Sequence, residues 1–355
     1  MFMFRRKRTA NLTRKLLRFR RASLNGSTAV DRGPTGSKDT KEDDIHELLK
    51  KLQETQLEML LNAVETRGIE LGNCVLVPRE CSYEPHLLVC QFWRWPELRK
   101  SDELRRLPQC GAAGDMVYSC CNPYHWSRLF TPDIPPPPYS RTNDHRIRPE
   151  DRAPSELMLV TRNMFQSLTT SGESTVTRTD WCKLAYWESQ VRVGPLFPVD
   201  PPHVNIFGNV PFGLDGLSLE TISSQRANKS EDSQKVRAKI GLGVTLSREA
   251  DGLVWIYNRS EQPVFVDSLY LTGGYDDPNM GWPIRLPPDY CICVHAPVAP
   301  QTFGWDQLMV SDRPGPAPDP NSIRISFVKG WGKRYSRRDI ISCPCWLEIL
   351  LAPCR

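Results

Sequence analysis

The sequence predicts two domains joined by a proline-rich connector: a small, cysteine-rich domain with helices, then an antiparallel β-sandwich. Three observations predict this. A chain of 355 residues exceeds one small domain. Apolar residues recur at helical spacing between 45 and 64, whereas after Asp180 they come in short runs separated by turn residues. Between the two patterns, residues 131–179 shift to Pro, Ser, Thr and Arg. A hydrophobic fraction of 39% excludes a wholly disordered chain. No stretch reaches the apolar length a bilayer requires, so no membrane insertion is expected.

Residues 1–40 are expected to form a basic disordered arm. Residues 1–23 carry nine Arg/Lys and no acid, and without them the net charge of +5 becomes −4. Such an arm suits nuclear import, nucleic-acid contact or an anionic membrane surface. It suits a mitochondrial presequence less well. Arg5–Arg8 follow Met1–Phe4 with no long apolar run behind them, so no secretory leader is expected. In a reducing compartment the 12 cysteines then read as metal ligands or buried apolar residues before disulfides.

From Lys41 to Gly68 the pattern is helical: Ile45, Leu48, Leu49 and Leu52 make one apolar stripe, Leu57, Leu60, Leu61 and Val64 repeat it, and Gly68 supplies a stop. Residues 74–130 are rich in Cys and aromatics. Cys74, Cys110, Cys120 and His125 could fill a closed tetrahedral shell around a structural zinc ion, leaving no place for a reacting water. The spacing lacks a CxxC knuckle, and Cys81, Cys90 and Cys121 compete as ligands. After Asp180, the runs Trp181–Trp187, Leu253–Tyr257, Val264–Val266, Tyr290–His295, Ile323–Val328 and Cys345–Leu351 argue for the sandwich. Residues 229–239 are polar and suit a short helix or a loop. No Gly-rich phosphate loop, His-Glu-x-x-His or Gly-x-Ser-x-Gly occurs, and the six His are scattered, so catalysis is not expected.

Longer stretches carry a family resemblance. Phe92-Trp-Arg-Trp-Pro-Glu-Leu98 and Cys121-Asn-Pro-Tyr-His125 resemble the N-terminal Mad-homology domain of Smad proteins. Trp181-Cys-Lys-Leu-Ala-Tyr-Trp-Glu188, Val254–Arg259, Ile325–Gly332 and Cys343–Glu348 resemble the C-terminal Mad-homology domain. The resemblance covers about 41–130 and 180–352. It implies a small zinc-bound α+β first domain over 41–130, with Cys74, Cys110, Cys120 and His125 as ligands. Residues 131–179 become a linker, and 180–355 a SMAD/FHA-like β-sandwich with flanking helices.

Three departures set the subclass. DNA-reading Smads use a basic hairpin where this chain has only Pro78–Pro85, with one Arg against two Glu, which argues against sequence-specific DNA binding. Receptor-activated Smads end in a Ser-x-Ser phosphoacceptor, whereas this sequence ends Leu351-Ala-Pro-Cys-Arg355. Pro136, Pro137 and Tyr139 form a PPxY, a form that docks in the aromatic grooves of WW domains. The combination resembles the inhibitory Smads, antagonists of transforming-growth-factor-β (TGF-β) and bone-morphogenetic-protein (BMP) signalling. That resemblance implies docking to phosphorylated type I receptor kinases and to WW-domain HECT E3 ubiquitin ligases. Other Smads and corepressors are further expected partners, and nucleus and cytoplasm the expected compartments.

The residues offer a surface for a phosphorylated partner. Lys329–Arg338 holds five bases (Lys329, Lys333, Arg334, Arg337, Arg338) in a domain of 18 bases and 19 acids. Lys235, Arg237 and Lys239 form a second cluster, pointing one way if the backbone is extended. The resemblance implies a receptor-binding groove combining the two, with Lys235, Lys239, Lys329 and Arg337 as the principal contacts and Gly330, Trp331, Lys333 and Arg334 completing the receptor-binding set. Trp331 is open to two readings, a recognition residue or a loop anchor. The alternative function is a DNA-binding Smad transcription factor that uses the basic arm for sequence-blind phosphate contact.

Overall fold

The structure, a computed structural model, describes residues 2–25, 38–69, 72–79, 84–131, 180–209, 215–224, 230–272, 283–297, 321–332 and 334–352. The chain divides into two compact units, Met1–Leu129 and Phe130–Arg355.

The first unit is built from helices. The segment expected as a disordered arm contains a helix, α1 (Phe2–Asn25). The composition hid an i, i+4 apolar pair: Leu12 and Leu16 are buried in the unit's core. The apolar stripe of 45–64 is divided between α2 (Lys38–Lys51) and α3 (Glu54–Glu65). The break falls at Gln53, whose backbone N–H donates to Gln56 Oε1 at 2.9 Å. All eight stripe residues are buried. Arg8 pins α1 to α3 through Glu54 (3.0 Å) and Glu58 (2.7 Å).

After Gly68 the chain passes through β1 (Leu76–Pro78), α4 (Pro85–Trp93), β2 (Leu104–Arg106), β3 (Tyr118–Cys120) and β4 (Trp126–Leu129). Gly68 has φ +72, and a Cβ there would meet Tyr124 at 2.6 Å, so both conformation and space demand glycine. β1 pairs antiparallel with β3, and β2 with β4.

The second unit is strand-rich: β5 (Cys182–Glu188), β6 (Val191–Val199), β7 (His203–Phe207), β8 (Gly216–Ser218), β9 (Val244–Arg248), β10 (Val254–Asn258), β11 (Val264–Asp267), β12 (Ile284–Leu286), β13 (Tyr290–His295), β14 (Ser322–Phe327) and β15 (Trp346–Leu351). One sheet contains the order β13-β10-β9-β7-β8 and the other β12-β11-β14-β15-β5-β6. Inward residues of both, among them Leu246, Ile256, Ile292, Leu184, Ile325 and Leu347, share one core, which makes the pair of sheets a sandwich. The expected runs coincide with strands. β6, β7 and β9 lacked a clear run because prolines, glycine and polar residues interrupt their apolar positions.

Two short helices, α5 (Leu219–Ser224) and α6 (Glu231–Arg237), complete the unit. Because α6 is helical, Lys235, Arg237 and Lys239 do not share one extended face. Arg237 points inward and is 2% exposed. Its Nη1 donates to Glu188 Oε1 and its Nε to Glu220 Oε2 at 2.6 Å. The same Glu188 oxygen accepts from Tyr186 Oη (3.1 Å) and Ser223 Oγ (2.8 Å). One buried guanidinium therefore joins the end of β5, α5 and α6. Burial works against its charge, but hydrogen bonds with Glu220 and Tyr186 hold its pKa above the ordinary value.

Removing one partner of a buried pair strands the other charge. Arg237→Met is expected to destabilise the protein by about 3–5 kcal/mol in urea unfolding. Loss of the exposed Lys235–Glu231 pair by Lys235→Ala is expected to cost less than about 1 kcal/mol. Equal, small losses would show that the buried pair does not hold α6.

Candidate metal centre and basic surface

Four side chains converge in the first unit. The ligating atoms of Cys74, Cys110, Cys120 and His125 lie within 4.8 Å of one another. Each comes from a different local device. Cys74 leads into β1, and Cys121 N–H, next to Cys120, donates to Val75 O at 2.7 Å. Cys110 is held by its N–H to Leu107 O (3.0 Å), and Leu107 N–H donates to His125 O (2.8 Å). Cys120 ends β3. His125 closes a 3₁₀ turn, Pro123–His125, that Asn122 caps by accepting from Tyr124 N–H at 3.0 Å.

The distances suit one metal ion. Cys74 Sγ lies 3.6 Å from Cys110 Sγ and 3.5 Å from His125 Nδ1, and Cys120 Sγ lies 3.4 Å from that nitrogen. A tetrahedron with zinc bonds of about 2.3 Å to sulfur and about 2.0 Å to nitrogen has edges of about 3.8 and 3.5 Å. His125 Nε2 is 2.9 Å from the Gly72 carbonyl and donates to it in the tautomer that leaves Nδ1 facing the thiols. The electrostatics agree. The hydrogen bond with Cys120, opposed by burial, brings Cys110 down to about 4 and Cys74 to about 6. Cys120, hydrogen-bonded to both and buried, is raised. Thiols that already favour thiolate are ready ligands.

The competing cysteines are placed elsewhere or not described. Cys90 and Cys121 belong to the helical core, and Cys90 Sγ–H points to Pro123 O. Burial pushes the Cys90 thiol up to about 12, the reverse of what a ligand needs. Cys81 lies outside the described residues. Arg79, the only base of the Pro78–Pro85 segment, donates to Asp115 O (2.8 Å) and Tyr118 O (3.2 Å). Its guanidinium is engaged by the unit's own backbone.

The second unit presents the cations. Between β14 and β15 the backbone turns at Val328, which has φ +66, a conformation a β-branched residue seldom adopts. Val328 N–H is tied to Pro263 O at 3.1 Å. Lys329 follows, half-buried, its carbonyl accepting from Ser326 Oγ (2.6 Å) and Cys343 Sγ (3.7 Å). Arg334 and Arg338 are exposed and Arg337 is half-buried. Lys333 lies outside the described residues, as do Pro136, Pro137 and Tyr139 of the PPxY.

Two expected contact residues prove to be internal. Trp331 is 5% exposed and packs with Phe265, Ile340, Cys343 and Trp346. It anchors the loop and presents no face to a partner. Gly330 is buried as well, and a Cβ there would meet Phe265 and Tyr335 at 2.7 Å. The remaining contacts, Lys235 and Lys239, are exposed on and just after α6. The segment after the loop ties the two clusters together: Cys343 contacts Lys329 O, while Ser233 Oγ of α6 donates to Pro344 O (2.9 Å) and Cys345 Sγ to Ser233 O (3.4 Å). Sequence reasoning missed Ser233 and Arg237 as positioning residues. The signal for Arg237 was the pair of acids at 188 and 220, which no local spacing connects to it.

Comparison with known proteins identifies the family. Residues 41–130 match the MH1 domain and residues 179–352 the MH2 domain. Mothers against decapentaplegic homolog 6 of Gallus gallus is 43% identical over 86% of this chain and 73% of its own length. Mothers against decapentaplegic homolog 7 of Homo sapiens is 38% identical, over 86% and 76%. The chain belongs to the Smad family, in its inhibitory branch. Dwarfin sma-3 of Caenorhabditis elegans is more distant, at 29% identity over 75% of this chain and 72% of its own. Membership gives this Smad a role in TGF-β/BMP signalling, and no catalytic family is indicated. Among solved structures, the interferon regulatory factor 9 IAD domain aligns over 51% of the chain and 88% of its own at 12% identity, with a TM-score of 0.33 too low to bear on function. Among the described residues no helix is long and apolar enough to cross a membrane.

For the metal centre, elemental analysis of the purified chain is expected to give one zinc per molecule, lost in Cys120→Ser. Chelation is expected to lower the thermal midpoint of the first unit, because binding energy in a structural site is folding energy. A metal-free chain that unfolds no earlier would reduce the cluster to buried thiols.

Proposed function

We propose that this Smad antagonises TGF-β/BMP signalling by occupying phosphorylated type I receptor kinases through a basic surface. The observation that carries this reading is the clustering of Lys329, Arg334, Arg337 and Arg338 on one loop whose interior is fixed by Trp331. The loop is tied through Cys343–Cys345 to the helix that ends beside Lys235 and Lys239. A phosphoryl group needs several cationic donors held in place, and guanidinium groups meet it with paired hydrogen bonds. Gly330 and Trp331 shape the loop, while Lys235, Lys239, Lys329, Lys333, Arg334 and Arg337 supply the charge.

The linker completes the proposal. Pro136, Pro137 and Tyr139 would dock a WW-domain HECT ubiquitin ligase and bring it to the occupied receptor. A structural zinc ion held by Cys74, Cys110, Cys120 and His125 would brace the MH1 domain. Other Smads and corepressors are proposed as further partners, in nucleus and cytoplasm.

Reversing Lys329 and Arg337 to Glu in a chain that still melts cooperatively is expected to weaken capture of phosphorylated type I receptor by about a hundredfold, the loss of two charge-assisted contacts. Unchanged capture would sink the receptor reading. Independently, Tyr139→Ala is expected to abolish calorimetric binding to an isolated WW domain, and equal affinity would sink the ligase reading.

A further inference from the structure

The basic loop contains a residue that the receptor reading does not use. Ser336 is exposed, and among the described residues its hydroxyl has no hydrogen-bond partner. It follows Lys333-Arg334 at positions −3 and −2 and precedes Arg337-Arg338. No helix or strand covers residues 334–339. The turn is closed by Tyr335 N–H to Gly332 O (3.0 Å) and Gly332 N–H to Arg337 O (2.7 Å). Tyr335 packs edge-on against Phe265, ring centroids 5.3 Å apart, so the backbone on the inner side is held while Ser336 faces solvent.

We propose that Ser336 is a phosphoacceptor for a basophilic serine/threonine kinase, and that its phosphate closes the basic surface to phosphorylated partners. Kinases select substrates by charge pattern, and cations two and three residues before an exposed serine suit an acidic substrate groove. In the transfer, Ser336 Oγ attacks the γ-phosphorus of ATP. The bond from that phosphorus to the β,γ-bridging oxygen breaks, ADP leaves, and the hydroxyl proton passes to the kinase's base.

The consequence follows from position. A phosphoserine carries a charge of about −1.5 to −2 and three acceptor oxygens. At 336 it stands between Arg334 and Arg337 on a short turn, where the linked anion competes at an effective concentration in the millimolar range. It therefore occupies the guanidinium groups that the receptor's phosphate needs, without any change of fold. Phosphorylation here would relieve antagonism rather than create it.

The test uses the complete chain carrying Thr9→Ala and Ser23→Ala, because Thr9 follows Arg6-Lys7 at −3 and −2, Ser23 follows Arg20-Arg21 in the same way, and both would also accept phosphate. Incubation with the catalytic subunit of cAMP-dependent kinase and ATP is expected to add one phosphoryl group that tandem mass spectrometry maps to Ser336. The addition should vanish in Ser336→Ala and fall in Arg334→Ala. No phosphate at 336 would overturn the proposal. The phosphorylated chain is expected to bind phosphorylated type I receptor cytoplasmic domain about tenfold more weakly, or less tightly still. Kinase-treated Ser336→Ala should bind as tightly as the untreated parent. Equal binding by the phosphorylated and unphosphorylated chains would overturn the closing role. The inference rests on the receptor reading, and the two fail differently: an untreated chain that does not bind receptor refutes the receptor reading and with it the closing role, while the mapped phosphate reports on the acceptor alone.

Discussion

A guanidinium leaves water only where carboxylates receive it, and the second domain is arranged around one that has done so. Arg237 sits between Glu188 at the end of a central strand and Glu220 on a short helix. Two short helices on a β-sandwich have few apolar residues with which to fix their own orientation: α5 buries Leu219, and α6 buries Val236. The ion pair supplies the missing direction, since a misplaced α6 would leave the buried Glu188 carboxylate and the guanidinium poorly solvated at once. That constraint turns Lys235 and Lys239 outward. It also seats Ser233 against the carbonyl of Pro344, in the segment that follows the basic loop.

The loop shows the same economy of means. A run of five bases would repel itself into an open coil if nothing held it. Buried Trp331, the close approach permitted by Gly330 and the edge-on Tyr335 hold its inner side, so its charges project from a defined turn. Preorganisation of this kind matters more to anion binding than the number of charges, because fixing long cationic side chains on binding costs conformational entropy. The residues most prominent in the sequence, Gly-Trp-Gly, turn out to be the support and the plainer arginines the surface.

In the first domain a Cys/His cluster that could hold a metal ion stands apart from the main apolar core. Cys110, Ala112 and Cys120 form a small buried group of their own, with Cys74 packed against it, separate from the helical core. Thiols gain little by apolar contact in so small a group, and their mutual hydrogen bonds favour thiolate on two of them. A metal ion bridging these four side chains would join the segment before β1, the loop at 110 and the turn after β3 more firmly than their few backbone hydrogen bonds can. The helical side needs no such brace, since α1, α2, α3 and α4 share a continuous apolar core.

The sequence by itself determined the features that local periodicity and composition encode. The stripe from Ile45 to Val64 and the runs that became β5, β10, β11, β13, β14 and β15 were legible because each depends on spacing along the chain, whereas the choice of Cys74, Cys110, Cys120 and His125 over the other cysteines came from the family resemblance. The tertiary structure alone decided what depends on neighbours distant in sequence. Leu12 and Leu16 made a docked helix out of a segment whose charge reads as disordered. Arg237 became an internal strut because Glu188, 49 positions away, awaited it. Trp331, ambiguous in sequence, became an anchor because Phe265 and Trp346 surround it. Burial is a property of the assembled fold: the same arginine or tryptophan is a contact or a support according to what packs against it, and no local pattern records that.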